Sequence, residues 1–299
     1  MTAATAPTAP APVDLGLPGP APSLSPSRAG DFMTCPLLFR FRTIDRLPQA
    51  PSPAAVRGTV VHGVLERLFD LPAAERTVAA AGDLLVPVWE QLSVDEPEVT
   101  AMFDGEADLT TWLAGARDLL EAYFAMEDPT RLEPARREER VEVELSGGLR
   151  LRGIVDRVDV APNGLVRVVD YKTGRAPREA FEGKALFQMK FYALVIWRTT
   201  GTVPALLQLM YLGDREFLRY RPEESDLLAT ERKLLALWDA IERATRLRDF
   251  PPSPSKLCGW CDYQDLCPSF GGTPPPWPVA STAPQVQTVS HPSTHEEMR

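Results

Sequence analysis

The sequence predicts an α/β domain, a mixed sheet with helices packed on its faces. Three observations carry that expectation. The hydrophobic period changes along the chain: apolar residues recur at helical spacing to about residue 127, then alternate along strands from Val141. The order of elements is helices, a strand meander, a helix, two strands and a long helix, which suits helices covering a sheet. Both ends lack an apolar period, leaving a body of about 240 residues in a chain of 299, enough for one large core.

Residues 1–22 are mostly Ala, Pro, Thr and Gly, with Asp14 their only charged side chain. They cannot bury enough surface to offset their ordering entropy, and neither can 272–299. Both are expected to be disordered tails around a domain at 23–271. That domain opens with Leu24-Ser25-Pro26-Ser27, an N-cap signal for a short helix to about Cys35. Pro51 to Asp70 places Val60, Val61, Val64, Leu65 and Leu68 at helical spacing. Two further helices are expected at about 75–92 and 108–127, joined by MFDGEADL. VEVEL, 141–145, then alternates as a strand, and Gly147-Gly148 turns the chain. LRLRGIVDRVDV and LVRVVDYK are the next two strands. A helix at about 184–198, a hairpin around Gly213-Asp214 and a long helix at about 224–248 follow. The body closes with the loop FPPSPSKLCGWCDYQDLC.

The net charge of −9 argues against non-specific coating of nucleic acid. It leaves room for a local basic groove from Arg40, Arg42, Arg46 and Arg57, or from Arg136, Arg137, Arg140, Arg150 and Arg152. No apolar run approaches the roughly 18–20 residues of a membrane span, and the N-terminus has no basic-then-apolar signal. The expectation is a cytoplasmic protein. In a reducing compartment its four cysteines are ligands rather than disulfides.

The chemistry centres on the second and third strands. Pro162-Asn163-Gly164 suits a three-residue hairpin loop, which sets Ala161 against Leu165 and, counting outward, Asp156 against Asp170. Directly opposed residues have Cβ atoms roughly 4.5–5.5 Å apart, where like charges repel. A divalent cation between them, Mg²⁺ or Mn²⁺, removes the conflict. Lys172 lies two residues past Asp170 and so shares its face. Its ammonium can hold a water or offset charge building on a phosphate. The alternative is an ordinary Asp/Lys pair on a surface hairpin. His62, the only histidine outside the two ends, sits on the helix VRGTVVHGVLERLF and is a candidate third ligand. Gln188 and Tyr192 are four apart on a helix, and could align a substrate strand or brace Lys172.

Cys258-x2-Cys261-x5-Cys267 is a tight trio, with Cys35 far upstream and Pro268 after the last cysteine. One-plus-three cysteines favour a [4Fe–4S] cluster, with Zn²⁺ as the alternative. Such a cluster would tie the two ends of the domain together.

GIVDRVD, VVDYKTG, the Q-x3-Y pair, G-x3-H-x3-E from Gly58 to Glu66 and the four cysteines together resemble the RecB-type branch of the PD-(D/E)XK nucleases. More narrowly they resemble its iron–sulfur members, which include CRISPR-associated adaptation nucleases and AddB-type subunits. The resemblance implies a restriction-endonuclease-like core whose N- and C-terminal segments an iron–sulfur cluster joins. It implies that His62, Asp156, Asp170 and the Tyr171 backbone carbonyl hold the metal, and that Lys172 positions the attacking water. Gln188 and Tyr192 match the Q-x3-Y motif, and Cys35, Cys258, Cys261 and Cys267 hold the cluster. Val155 stands where the superfamily's naming proline would be, and the second acid is Asp rather than Glu. The function implied is a metal-dependent DNA nuclease, an exonuclease on single strands or ends, in repair or recombination. No GxxxxGK[ST] is present, so a helicase would be a partner rather than part of this chain. Two other readings are a non-catalytic DNA-end-binding module and a zinc-stapled interaction protein.

Overall fold

The computed structural model describes residues 23–177 and 182–278. The tails expected at 1–22 and beyond 278 lie outside the described residues. Strand β1 (Ser23–Leu24) leads into helices α1 (Pro26–Thr34) and α2 (Pro36–Phe39), followed by a π-turn over Arg40–Ile44. Helices α3 (Pro53–Leu68), α4 (Val78–Asp95) and α5 (Glu106–Met126) come next. Then come strands β2 (Arg136–Glu144), β3 (Arg150–Val160) and β4 (Val166–Lys172), and helix α6 (Glu182–Thr200). Strands β5 (Leu206–Tyr211) and β6 (Glu216–Tyr220) and helix α7 (Glu224–Leu247) complete the body.

The helix starts follow local chemistry. Ser25, Ser52 and Thr77 each accept a hydrogen bond from the backbone N–H three residues on, so α1, α3 and α4 begin directly after them. Each such cap stabilises by about 1 kcal/mol. Thr77 therefore starts α4 a little later than periodicity predicts.

The sheet runs β1-β3-β4-β5-β6, with β2 also paired to β3. β1 pairs with β3 in parallel and β4 with β5 in parallel; the other pairs are antiparallel. One face packs on α1, α2, α6 and α7 through residues such as Val155, Val168, Phe191 and Leu234. The other packs on α3, α4 and α5 through Val169, Tyr171, Met210, Val64 and Tyr123. This is the expected mixed sheet flanked by helices.

Three features differ from the sequence reading. β1 is two residues long and carries no periodicity of its own; only its pairing with Arg150 and Leu151 defines it. β2 begins at Arg136 rather than Val141, because its charged first half pairs along β3. Residues 272–278, assigned to the tail, run back over the body. Gly272 N donates to Cys267 O at 2.9 Å, and Trp277 stacks on Phe250 with centroids 5.8 Å apart. Arg40 and Arg248 lie over the Trp277 ring at 5.4 and 5.8 Å. No helix among the described residues is long and apolar enough to cross a membrane.

Candidate active site

The β3–β4 hairpin is set by its turn. Ala161 N donates to Leu165 O at 2.9 Å and Gly164 N to Ala161 O at 2.8 Å, with Gly164 at φ 81°. Four rows follow outward, ending at Arg157 opposite Val169. The next row is Asp156 and Asp170, and there the ladder stops. Tyr171 N donates to Asp156 Oδ2 at 2.7 Å instead of to a backbone carbonyl.

On the other side of β3, Arg137 faces Arg157 and Glu139 faces Val155, so the row between them is Glu138 and Asp156. One row across β2, β3 and β4 thus holds three carboxylates, Glu138, Asp156 and Asp170. The pleat breaks at this row. Val155 packs in the core beneath α6, whereas Arg157, two residues on, lies over Phe69 and Tyr171 on the opposite face. Glu138 has φ 41°, a left-handed conformation that costs a non-glycine residue about 1–2 kcal/mol. The break opens the row to helices on both faces of the sheet.

From one face, α3 supplies His62. Its Nε2 lies 3.0 Å from Tyr171 O. A carbonyl only accepts, so Nε2 carries the proton and the lone pair of a neutral ring is on Nδ1. That atom faces Asp156 Oδ2 at 3.5 Å and Glu138 Oε1 at 3.7 Å. The ligand atoms of His62, Glu138 and Asp156 all lie within 4.8 Å of one another. From the other face, α6 supplies Gln188, which donates to Asp170 Oδ1 at 3.1 Å and accepts from Lys172 Nζ at 3.1 Å. Lys172 Nζ is 2.6 Å from Asp170 Oδ2. One amide therefore holds an acid and its ammonium partner together. Tyr192, one turn along, hydrogen-bonds Gln188 at 3.4 Å and lies against Gly153, where a Cβ would sit 2.6 Å from the tyrosine Cε1.

The electrostatics show an excess of negative charge. Burial pushes the Asp156 carboxyl up, and the Asp170 charge adds to this while His62 opposes it. Burial also raises Asp170, against the pull of Lys172. Burial alone would lower the His62 pKa, but the Glu138 hydrogen bond and the charges of Asp156 and Asp170 outweigh it and the net shift is upward. Glu66, one turn past His62 on α3, is raised by burial and by Glu138. A neutral imidazole nitrogen with carboxylate oxygens at this spacing suits Mg²⁺ or Mn²⁺. The residues fit a divalent cation.

Directly behind this row the charges balance. Arg157, 1% exposed, donates to Tyr171 Oη and Glu127 Oε2, each at 2.7 Å, and its Nε is 3.1 Å from Asp159 Oδ1. Arg167 closes the network onto Glu127 at 3.0 Å and Asp159 at 2.8 Å. Because the Tyr171 backbone holds both His62 and Asp156, this clamp on its ring fixes the metal-facing atoms as well.

His62, Asp156, Asp170, Lys172, Gln188 and Tyr192 therefore converge. The Tyr171 carbonyl, expected as a metal ligand, accepts the His62 N–H here. Two residues escaped the sequence reading. The Gly147-Gly148 pair taken as a two-residue turn would set Glu139 against Asp156; the loop is Ser146-Gly147-Gly148, closed by Leu145 N to Leu149 O at 2.8 Å, and counting outward from it reaches Glu138. Nothing local marks Arg157 as buried. The expected basic groove is largely neutralised: Arg40, Arg42, Arg136, Arg137 and Arg150 pair with Asp45, Asp31, Glu139, Asp70 and Glu142. The four cysteines line one cavity of about 230 Å³ between the α1–α2 region and the C-terminal loop. Ser253 N and Ser255 N point at Cys35 Sγ and Cys258 Sγ, each at 3.3 Å.

Residues 23–268 match the family model described as the PD-(D/E)XK nuclease superfamily. Two curated proteins, each called Gene 69 protein, are similar over 83% of this chain and 97% of their own length. The one from Mycobacterium phage L5 is 22% identical and the one from Mycobacterium phage D29 is 26% identical. Among solved structures, the "Putative exonuclease" of Eubacterium rectale superposes with a TM-score of 0.54 at 13% identity, covering 81% of this chain and 87% of that one. At that identity the likeness speaks for the fold.

Proposed function

This chain belongs to the PD-(D/E)XK nuclease superfamily and is a phosphodiester-hydrolysing nuclease, and from that premise we propose a divalent-metal-dependent deoxyribonuclease that cuts single strands or DNA ends. The observation that carries the metal dependence is the convergence of His62, Glu138 and Asp156 within 4.8 Å, beside an Asp170 paired to Lys172. His62 Nδ1, Glu138, Asp156 and Asp170 would hold Mg²⁺ or Mn²⁺. Bound there, the ion would neutralise the scissile phosphate and acidify a water. Lys172, oriented by Gln188 and Asp170, holds that water in line and offsets charge on the phosphate. His62 keeps its protonated nitrogen on Tyr171, so its other nitrogen stays available as a ligand. Exonuclease action, a role in repair or recombination, a cytoplasmic location and a helicase or repair-complex partner belong to the same proposal. They rest on the sequence resemblance alone. Against a purely DNA-binding role stands the complete set of acids, imidazole and ammonium.

The proposal includes a [4Fe–4S] cluster on Cys35, Cys258, Cys261 and Cys267. What supports it is that all four line one cavity, with backbone N–H groups aimed at two of the sulfurs. Zinc bonded at about 2.3 Å would draw tetrahedral sulfurs to about 3.8 Å apart. Among the described residues, the three ligand atoms within 4.8 Å of one another are those of His62, Glu138 and Asp156, not cysteine sulfurs. Zn²⁺ on the same four cysteines is the alternative occupant.

The test is cleavage of labelled single-stranded DNA by anaerobically purified protein with Mg²⁺, Mn²⁺ or EDTA. Cleavage needs metal, and Asp170→Ala and Lys172→Ala abolish it while leaving the brown colour and its absorbance near 400 nm. Cleavage by Lys172→Ala at the wild-type rate would remove that lysine from the mechanism. Cys261→Ala loses the colour and melts lower; an unchanged spectrum would refute the cysteine assignment.

A further inference from the structure

Two cavities flank the carboxylate row. The first, of about 620 Å³, is lined by His62, Glu66, Glu138 and Arg140, and on α3 by Gly58 and Thr59. The second, of about 510 Å³, is lined by Ser25 and Ser27 at the start of α1, and by Gly153, Gln188 and Tyr192. One further residue lines both, Ile154 on β3, and its side chain is exposed, at 45%.

The sheet explains the second cavity. β1 covers β3 only at Arg150 and Leu151, and β4 covers it only from Arg157 to Val160. Residues 152–156 of β3 have no strand partner on that side. The gap opens beside the acids and is walled by α1 and α6. Gly153 is required there because Tyr192 fills the place of a Cβ. The first cavity is shallow-walled for a different reason. The residues of α3 that line it include the small Ala55, Gly58 and Thr59, so a chain can approach closely.

Arginines lie at both cavities in a chain that is otherwise acidic. Arg140 lines the first, together with Glu66 and with Glu138, one of the three acids of the row. Beside the second, on the same turn of α1, Arg28 is tied to Ser23 O at 3.3 Å, with Arg152 and Arg46 as its neighbouring cations. The carboxylate in the second cavity, Asp31, is paired with Arg42 at 2.8 Å. Each volume lies within the roughly 300–1,000 Å³ that encloses a small ligand. Each can take one nucleotide of an unpaired strand.

We propose that the two cavities bind the nucleotides on either side of the scissile phosphate, and that Ile154 is the apolar ridge that separates their bases. This rests on the nuclease reading above and deepens it: the single strand is held on both sides of the cut, and Ile154 is the residue that divides it. A base pair at that step would have to be opened before the strand could cross the ridge, so duplex is a poor substrate.

The experiment measures binding and cleavage separately. Fluorescence anisotropy of a labelled oligothymidylate, with Ca²⁺ in place of Mg²⁺, reads the groove whether or not cleavage occurs. With Mg²⁺ or Mn²⁺, kcat and KM are measured on the same oligomer and on its duplex. Removing the apolar bulk with Ile154→Ala weakens single-strand binding about tenfold and raises KM by a similar factor. The change also narrows the preference for single strand over duplex. Leu165→Ala removes a still more exposed apolar side chain at the far hairpin and serves as the control, with affinity unchanged. Wild-type affinity and wild-type strand preference in Ile154→Ala would overturn the proposal. Loss of single-strand affinity in a protein that cleaves nothing would support the groove and count against the nuclease reading.

Discussion

Asp156 and Arg157 are neighbours on one strand, and they stand in opposite electrostatic surroundings. Arg157 is enclosed by Glu127, Asp159 and the Tyr171 hydroxyl, and with Arg167 the group holds two cations against two anions. Asp156 faces Glu138 and Asp170, three acids with one imidazole and the Lys172 ammonium among them. The first arrangement is complete as it stands. The second keeps more negative than positive charge, which a divalent cation would balance. The break in the pleat at Glu138 and Asp156 separates the two, sending Arg157 to one face and leaving the acids between both. A buried charge with all its partners is architecture; a buried charge without them marks a place built for a ligand.

The largest expected effect comes from breaking the complete side. Arg157→Leu leaves Glu127 and Asp159 with the half-buried Arg167 as their one cation, at a cost of about 3 kcal/mol. Thermal or urea unfolding should show a lowered midpoint; an unchanged midpoint would mean that the network carries no stability. Gly153→Ala is next. The added methyl would sit 2.6 Å from Tyr192 Cε1, so the ring must move, at about 1–3 kcal/mol. Because Tyr192 leans on Gln188, this change should lower kcat as well as the melting temperature. Tyr171→Phe is the mildest and the most informative. It deletes only the hydroxyl that Arg157 holds, costing about 1 kcal/mol. It should weaken Mn²⁺ binding and cleavage about tenfold, as loss of an outer support does. Rescue is not expected from higher DNA concentration. If stability falls and metal affinity does not, the clamp serves folding alone.

Much of this was legible in the sequence because it is local. Pro162-Asn163-Gly164 fixes a register by turn chemistry, and from it Asp156, Asp170 and Lys172 follow by counting. Ser25 starts α1 by capping, and the spacing of Val60, Val61, Val64, Leu65 and Leu68 marks the helix that carries His62. What was not legible is long-range. β1 exists only through its partner β3. Glu138 lies in a run of charges, RREER, where a one-residue difference in the length of the β2–β3 loop exchanges it with Glu139 and no residue type marks its left-handed backbone. Arg157 reads as an exposed charge until Glu127, 30 residues away, is brought against it. Trp277 looked like tail until Phe250 and Arg40 were placed beneath it.

One measurement tests the central claim most directly: the melting temperature of wild type and Asp156→Asn, each in EDTA and in Mn²⁺, at pH 8. The Asp156 carboxyl is raised above its unfolded value by burial and by Asp170, so its ionised form opposes folding in the absence of metal. Asparagine keeps the shape and removes the charge. The account predicts that Asp156→Asn melts at or above wild type in EDTA, and that Mn²⁺ raises the melting temperature of wild type alone. A variant that is destabilised in EDTA and still gains the full Mn²⁺ shift would contradict it.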